Sequence, residues 1–172
     1  MTADPGTRHG LPTTPLTEVV PAPVSDVPAP VAADTFKAIF RRHPAGVAIV
    51  ALADGEPFGM VQVYAFADEP GYTAEIETVC PVPAGALSID YLVGEPAARG
   101  RGLGAAMIAA AVARGFADHP DARDVLVPVA LGNEASWRAL RRAGAQWYAE
   151  GDLEPDNPVD PPAHVVHRFR RP

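Results

Sequence analysis

The sequence predicts an α/β (α+β) domain, a mixed central sheet flanked by helices. Two helical segments, each preceded and followed by a strand-like run, carry that expectation. Size agrees with it: 172 residues with 48% hydrophobic content can bury one ordinary core. Twenty prolines are many, and they are unevenly placed.

Residues 1–32 ("LPTTPLTEVVPAPVSDVPAPVA" and what precedes it) are proline-punctuated and mostly small. Such a stretch resists both helix and ladder bonding, so a disordered tail is expected, with "LTEVV" able to add an edge strand. The domain proper is expected from residue 33. "ADTFKAIFRR", 33–42, spaces Phe36, Ile39 and Phe40 as a short helix with Asp34 as cap. Strands near 46–52 and 58–67 around "ADGE" read as a hairpin. "EPGYTAEIETVCPVP" reads as a long, irregular, acidic connection. A strand near 87–93 leads into "RGRGLG", and a helix over 103–116 follows, with Leu103, Met107, Ala111 and Val112 on one face. Pro120 ends that region. "VLVPVAL" is a buried strand. "NEASWRALRRAG", 133–144, is a second helix that opens on an Asn cap and stops at Gly144. Strands at 146–149 and 163–170 close the chain.

Composition narrows the partners. Cys80 is the single cysteine, which excludes an internal disulfide and a multi-cysteine zinc site, and no metal is expected. No apolar run approaches the ~20 residues needed to cross a bilayer. The N-terminus lacks a basic segment and apolar core, so a cytoplasmic protein without a membrane partner is expected. A net charge of −7 argues against nucleic acid and permits a cationic small molecule. His164 and His167 stand three apart on a strand and face opposite sides, so they cannot chelate together.

The glycine stretch raises the functional question. Gly100, Gly102 and Gly104 alternate with Arg99, Arg101 and Leu103 between a strand and a helix. Bare backbone N–H groups and a helix N-terminus at such a joint cradle phosphate oxygens. The Walker A pattern is absent, and Gly-x-Gly-x-Gly fits the dinucleotide fingerprint poorly.

"RGRGLG" resembles the acyl-CoA-binding motif of the GNAT superfamily of N-acetyltransferases, Arg/Gln-x-x-Gly-x-Gly/Ala. The frame "IDYLVGEPAARGRGLG" is similar to the aminoglycoside 6′-N-acetyltransferase branch, and "NEASWRALRRAGA" resembles that family's Asn-x-x-Ser/Ala-x-x-x-Tyr-x-x-x-Gly-Phe helix. The resemblance covers residues 55–172 and implies a GNAT fold with a mostly antiparallel sheet. It implies acetyl-CoA as co-substrate and direct transfer to a primary amine of a small cationic substrate, an aminoglycoside first. It implies that Arg99, Arg101, Gly102, Leu103, Gly104 and Ala105 hold the pyrophosphate. Leu92, Val93 and Asn133 would contact the pantetheine arm, and a bulge in the strand would turn an amide toward the thioester. Many members of the fold dimerise, so a homodimer is allowed.

Asp90 matches the Asp that binds the reactive amine in that branch. A carboxylate there can orient an ammonium and accept its proton, while the plain alternative is an Asp bonded to backbone or arginine. The family's thiolate-protonating Tyr falls on Leu140, which has no proton to give. Tyr148 is the candidate donor, with Tyr91 also near in sequence. Glu75, Glu77 and Asp152 lie in acidic segments that would attract a polyamine, or would merely be solvated. Two alternatives follow: a CoA-binding protein without efficient turnover, and an acetyltransferase for a lysine-like siderophore precursor. Residues 34–50 resemble the start of a flavin-reductase-like domain.

Overall fold

A computed structural model describes residues 19–21, 46–155 and 159–172. The helix expected at 33–42 and the tail 1–32, apart from 19–21, lie outside the described residues. The elements are β1 (Val19–Pro21), β2 (Val47–Ala53), β3 (Glu56–Ala65), α1 (Pro70–Ile76), β4 (Leu87–Val93), α2 (Leu103–Asp118), β5 (Asp124–Ala130), α3 (Glu134–Arg142), β6 (Gln146–Asp152) and β7 (Ala163–Arg170). They build one seven-stranded sheet in the order β1-β2-β3-β4-β5-β7-β6. All neighbours are antiparallel except β4 and β5.

The hairpin turns on Asp54 and Gly55, at φ 53° and 83°. That pair of left-handed residues suits the right-handed twist of a two-residue connection. β1 adds to the outer side of β2, with Val20 opposite Val50.

One helix was not expected. The acidic connection folds as α1, with Pro70 in its first turn, a position for which proline's fixed φ is suited. Thr73 Oγ1 donates to the carbonyls of Phe66 (2.6 Å) and Glu69 (3.0 Å). Ile76 is fully buried, and Tyr72 stacks on Phe66 with ring centroids 5.7 Å apart. Seven residues carry too little periodicity to announce a helix, and packing decides this one.

The sheet separates two apolar layers. On one face α2 lays Met107, Ile108, Ala111, Val112 and Phe116 on Val61, Val63, Leu87, Ile89, Val125 and Val127. Gly115 permits the close approach, since a Cβ there would stand 3.2 Å from Leu87 and 3.3 Å from Val63. Arg171 closes this layer by donating to the Phe116, His119 and Ala122 carbonyls at the end of α2. α3 adds Leu140 to the same layer. On the other face α1 and the loop after it cover Leu126 and Val166 with Ile76 and Cys80.

The β4–β5 junction positions the site. Their parallel ladder is registered at Leu87 with Val125, and beyond it the strands part. The bulge expected in β4 is not there: its register with β3 runs without a break from Leu87–Ala65 to Val93–Gly59. The gap beside β4 comes from its separation from β5, while its ladder with β3 is unbroken.

Candidate functional site

α2 opens on a turn that glycine alone adopts without strain. Gly100 and Gly102 have φ of 72° and 83°, and Gly102 is the residue that caps the helix. The first intrahelical bond runs from the Ala106 N–H to the Gly102 carbonyl, at 3.2 Å. The N–H groups of Leu103, Gly104 and Ala105 are therefore not used within the helix, and the dipole adds positive potential at that end.

Beside it lies a cleft of about 1040 Å³. Tyr91, Leu92 and Val93 form one wall, the Ala98–Ala105 turn the floor, and α3 with its cap the other wall. Arg99, Arg138, Arg141 and Arg142 line it, and no carboxylate does. In a chain of 21 acidic and 14 basic residues, that segregation builds a field for an anion. The Nη1 atom of Arg142 lies 3.7 Å from where a Cβ on Gly102 would stand, so its guanidinium sits over the turn. Arg99 braces the turn by donating to the Val93 carbonyl through Nε (3.3 Å) and Nη2 (3.2 Å). Arg138 pairs with Glu134 and covers the Trp137 ring at 5.4 Å. Amides at a helix start with guanidinium groups around them suit a diphosphate. The unladdered side of β4 offers backbone to an extended arm.

Of the residues read from the sequence, Leu92, Val93, Arg99, Gly102, Gly104, Ala105 and Asn133 line this cleft. Arg101 and Leu103 are not in its walls: Leu103 packs on the core and Arg101 is exposed. Asn133 Oδ1 accepts the Ser136 N–H at 3.2 Å and so caps α3. Arg138, Arg141 and Arg142 were missed. Their spacing, i, i+3 and i+4 on one helix face, was the available signal.

Asp90 lies on the opposite face of β4. It alternates with Ile89 and Tyr91, which pack toward α2 and α3, and stands across from Gln62 on β3. Gln62, Ser88 and Tyr64 share that face and are buried. Burial, then the nearby Tyr72 and Asp90, push the Tyr64 phenol well above its ordinary range. The two acidic segments do meet there, because the Glu154 N–H donates to Glu75 Oε1 at 2.8 Å. Burial, and then the neighbouring Asp68, push the Glu69 carboxyl up from its ordinary value. Glu77, just past α1, and Asp152, at the end of β6, are exposed, and neither they nor Glu75 line the cleft.

Tyr148 is not brought to the cleft. It lies on β6, which β5 and β7 separate from β4, packs near Ile76 and Cys80, and carries the Arg168 guanidinium 4.8 Å above its ring. Leu140 is completely buried. Tyr91 does line the cleft, and its hydroxyl bonds Ser136 Oγ at 2.6 Å. Cys80 is buried, and burial raises its thiol pKa. Among the described residues no group of His, Cys, Asp or Glu is arranged to hold a metal ion. No described helix is long and apolar enough to cross a membrane.

The profile of the acetyltransferase (GNAT) domain matches residues 26–153. The fold is similar to that of aminoglycoside acetyltransferase AAC(6′)-Ib in complex with coenzyme A, at TM-score 0.60 and 21% identity over 77% of this chain and 70% of that one. It is similar to the aminoglycoside N(6′)-acetyltransferase of Legionella pneumophila, at TM-score 0.56 and 19% identity over 81% and 73% of the two chains. It is also similar to the ribosomal-protein-S5-alanine acetyltransferase of Vibrio fischeri, at TM-score 0.55 and 12% identity over 79% and 67%. No curated protein matches the sequence.

Proposed function

Because the chain belongs to the acetyltransferase (GNAT) family, we propose that it is an acetyl-CoA-dependent N-acetyltransferase acting on a primary amine of a small cationic substrate. The 6′-amino group of an aminoglycoside is the leading acceptor. The observation that carries this reading is the arginine-lined, carboxylate-free cleft at the start of α2. The pyrophosphate would rest on the amides of Leu103, Gly104 and Ala105 under Arg142, and the pantetheine arm would run along Leu92 and Val93. The co-substrate supplies an acetyl group on a thioester, whose carbonyl carbon the amine attacks.

Asp90 supplies the acceptor side. It lies on the face away from α2 and α3, in a polar setting of Gln62, Tyr64 and Ser88. Its carboxylate orients the ammonium and accepts the proton the amine must lose before it can attack. Glu75, Glu77 and Asp152, on segments flanking that side, raise the local concentration of a polycation. A free ternary complex with direct transfer needs no covalent enzyme intermediate.

The first test is thermal unfolding with and without acetyl-CoA. At ~100-fold over its dissociation constant, a ligand that binds only the folded state adds about 2.7 kcal/mol. An absent shift in folded protein sinks the proposal. Thiol release from acetyl-CoA is then measured with aminoglycosides and with lysine-like amines, which separates the two acceptor classes. Asp90→Asn should abolish thiol release and keep the thermal shift. Complete burial of Leu140 favours a second reading, CoA binding without efficient turnover. A thermal shift without thiol release from any amine would select it.

A further inference from the structure

Two hydroxyls line the cleft, those of Tyr91 and Ser136, and they are bonded to each other at 2.6 Å. Several other polar groups of the wall have their partners away from Tyr91. Asn133 caps α3, Arg99 braces the Val93 carbonyl, Arg138 pairs with Glu134, and Arg142 lies over the Gly102 turn. Arg141 lines the cleft as well and lies close enough to His167 to disfavour a charge on that imidazole. Tyr91 adjoins Asp90 in the chain but projects from the other face of β4.

That placement matters for a thioester. When an amine held at Asp90 attacks, the carbonyl carbon must lie beside β4, and the sulfur must leave on the cleft side. The electron pair of the broken C–S bond stays on sulfur, and the amine proton goes to Asp90. Negative charge on the sulfur then needs a donor within the cleft.

Resting on the acyl-transfer reading above, we propose that the Tyr91 hydroxyl is the hydrogen-bond donor to the leaving sulfur, with Ser136 as its positioning residue. In the bound state Ser136 donates to the Tyr91 oxygen, which frees the phenolic O–H for the sulfur. No proton need leave Tyr91: the thiolate takes its proton from solvent as the product departs. Burial, against the opposing Ser136 bond and reinforced by Asp90, holds the phenol far above its ordinary pKa. A phenol that stays protonated is a donor throughout the working pH range. The hydrogen-bonded form of a thiolate is favoured over the bare one, so the thiol should ionise more readily beside Tyr91.

Two measurements on the full chain test this. The first is the ionisation of the thiol of bound CoA, followed by thiolate absorbance, in the wild type, Tyr91→Phe and Ser136→Ala. Tyr91→Phe should move the ionisation to higher pH, and Ser136→Ala should move it the same way by less. This titration needs no amine. The second is steady-state acetylation: Tyr91→Phe should lower kcat roughly 10- to 100-fold with KM for acetyl-CoA unchanged within about twofold. An unmoved thiol ionisation in Tyr91→Phe overturns the proposal, as does an equal loss of CoA affinity and turnover, which would mark a packing role. Should the wild type fail to bind CoA, this proposal and the acyl-transfer reading fall together. Should the wild type bind and the variants match it, only Tyr91 loses its role. Ser136→Ala leaves the core untouched and keeps the test decisive if Tyr91→Phe is unstable.

Discussion

Arg168 Nε on β7 donates to Asp124 Oδ1 at the start of β5 over 2.7 Å, tying together the two strands beyond the cleft. Both side chains are largely withdrawn from water, at 17% and 7% exposure, and Arg170 approaches the same oxygen only at 3.9 Å. Breaking a buried pair leaves the surviving charge without compensation, at a cost of about 3–5 kcal/mol. Arg168→Met should therefore lower unfolding free energy by roughly 3 kcal/mol. The double variant Arg168→Met with Asp124→Leu should recover part of that loss, and a double-mutant cycle in urea reads the coupling. Additive losses would show that the pair is not coupled.

His167 sets a pH limit. It is fully buried, both ring nitrogens lack a hydrogen-bond partner among the described residues, and Trp147 meets it edge-on at 5.7 Å. Burial, and then Arg141, lower its pKa from the ordinary 6.5. The folded state thus holds it neutral while the unfolded chain takes up a proton near 6.5. Its contribution to stability is complete above that pH and is lost as pH falls from there toward the folded pKa. His167→Phe should flatten the stability profile below pH ~6.5. An unchanged slope would place the acid sensitivity elsewhere.

The glycines of the loop should separate by backbone. Gly102 sits at φ 83° with only Arg142 near the Cβ position, so Gly102→Ala is strained by conformation rather than by collision. It should cost about 1–2 kcal/mol and weaken the thermal shift given by acetyl-CoA. Gly104, within α2, would place a Cβ 3.4 Å from Val93, an ordinary contact. Gly104→Ala should change stability by less than about 1 kcal/mol, helix propensity offsetting the crowding. Equal effects at the two sites would show that conformation is not the issue.

Leu140 cannot be turned into a proton donor by substitution alone. It is fully buried in the layer shared by α2 and α3, so Leu140→Tyr adds a ring and a hydroxyl to closed space. Overpacking of this kind costs about 1–3 kcal/mol. The expected outcome is a lower melting midpoint with no gain in thiol release. Faster turnover would show that the position opens toward the sulfur after all.

Sequence determined the local parts of this protein. Period-two strands, the Asn133 cap, the "ADGE" turn and the Gly102 helix start all depend on a few neighbouring residues, and each stands where its pattern put it. The loop's likeness to an acyl-CoA motif is likewise a property of six adjacent residues. Tertiary structure decided what depends on distant partners. α1 forms because Ile76 and Tyr72 find a buried layer, although its seven residues are too short to declare a helix. The insertion of β7 between β5 and β6 carries Tyr148 away from β4 and leaves it under Arg168. The folding of α3 beside β4 brings its three arginines to the cleft, Arg142 over the glycine turn, and Ser136 to Tyr91. A one-dimensional pattern specifies which face of an element is apolar. Which elements then meet is set by the burial of all those faces at once, and the cleft exists only in that joint solution.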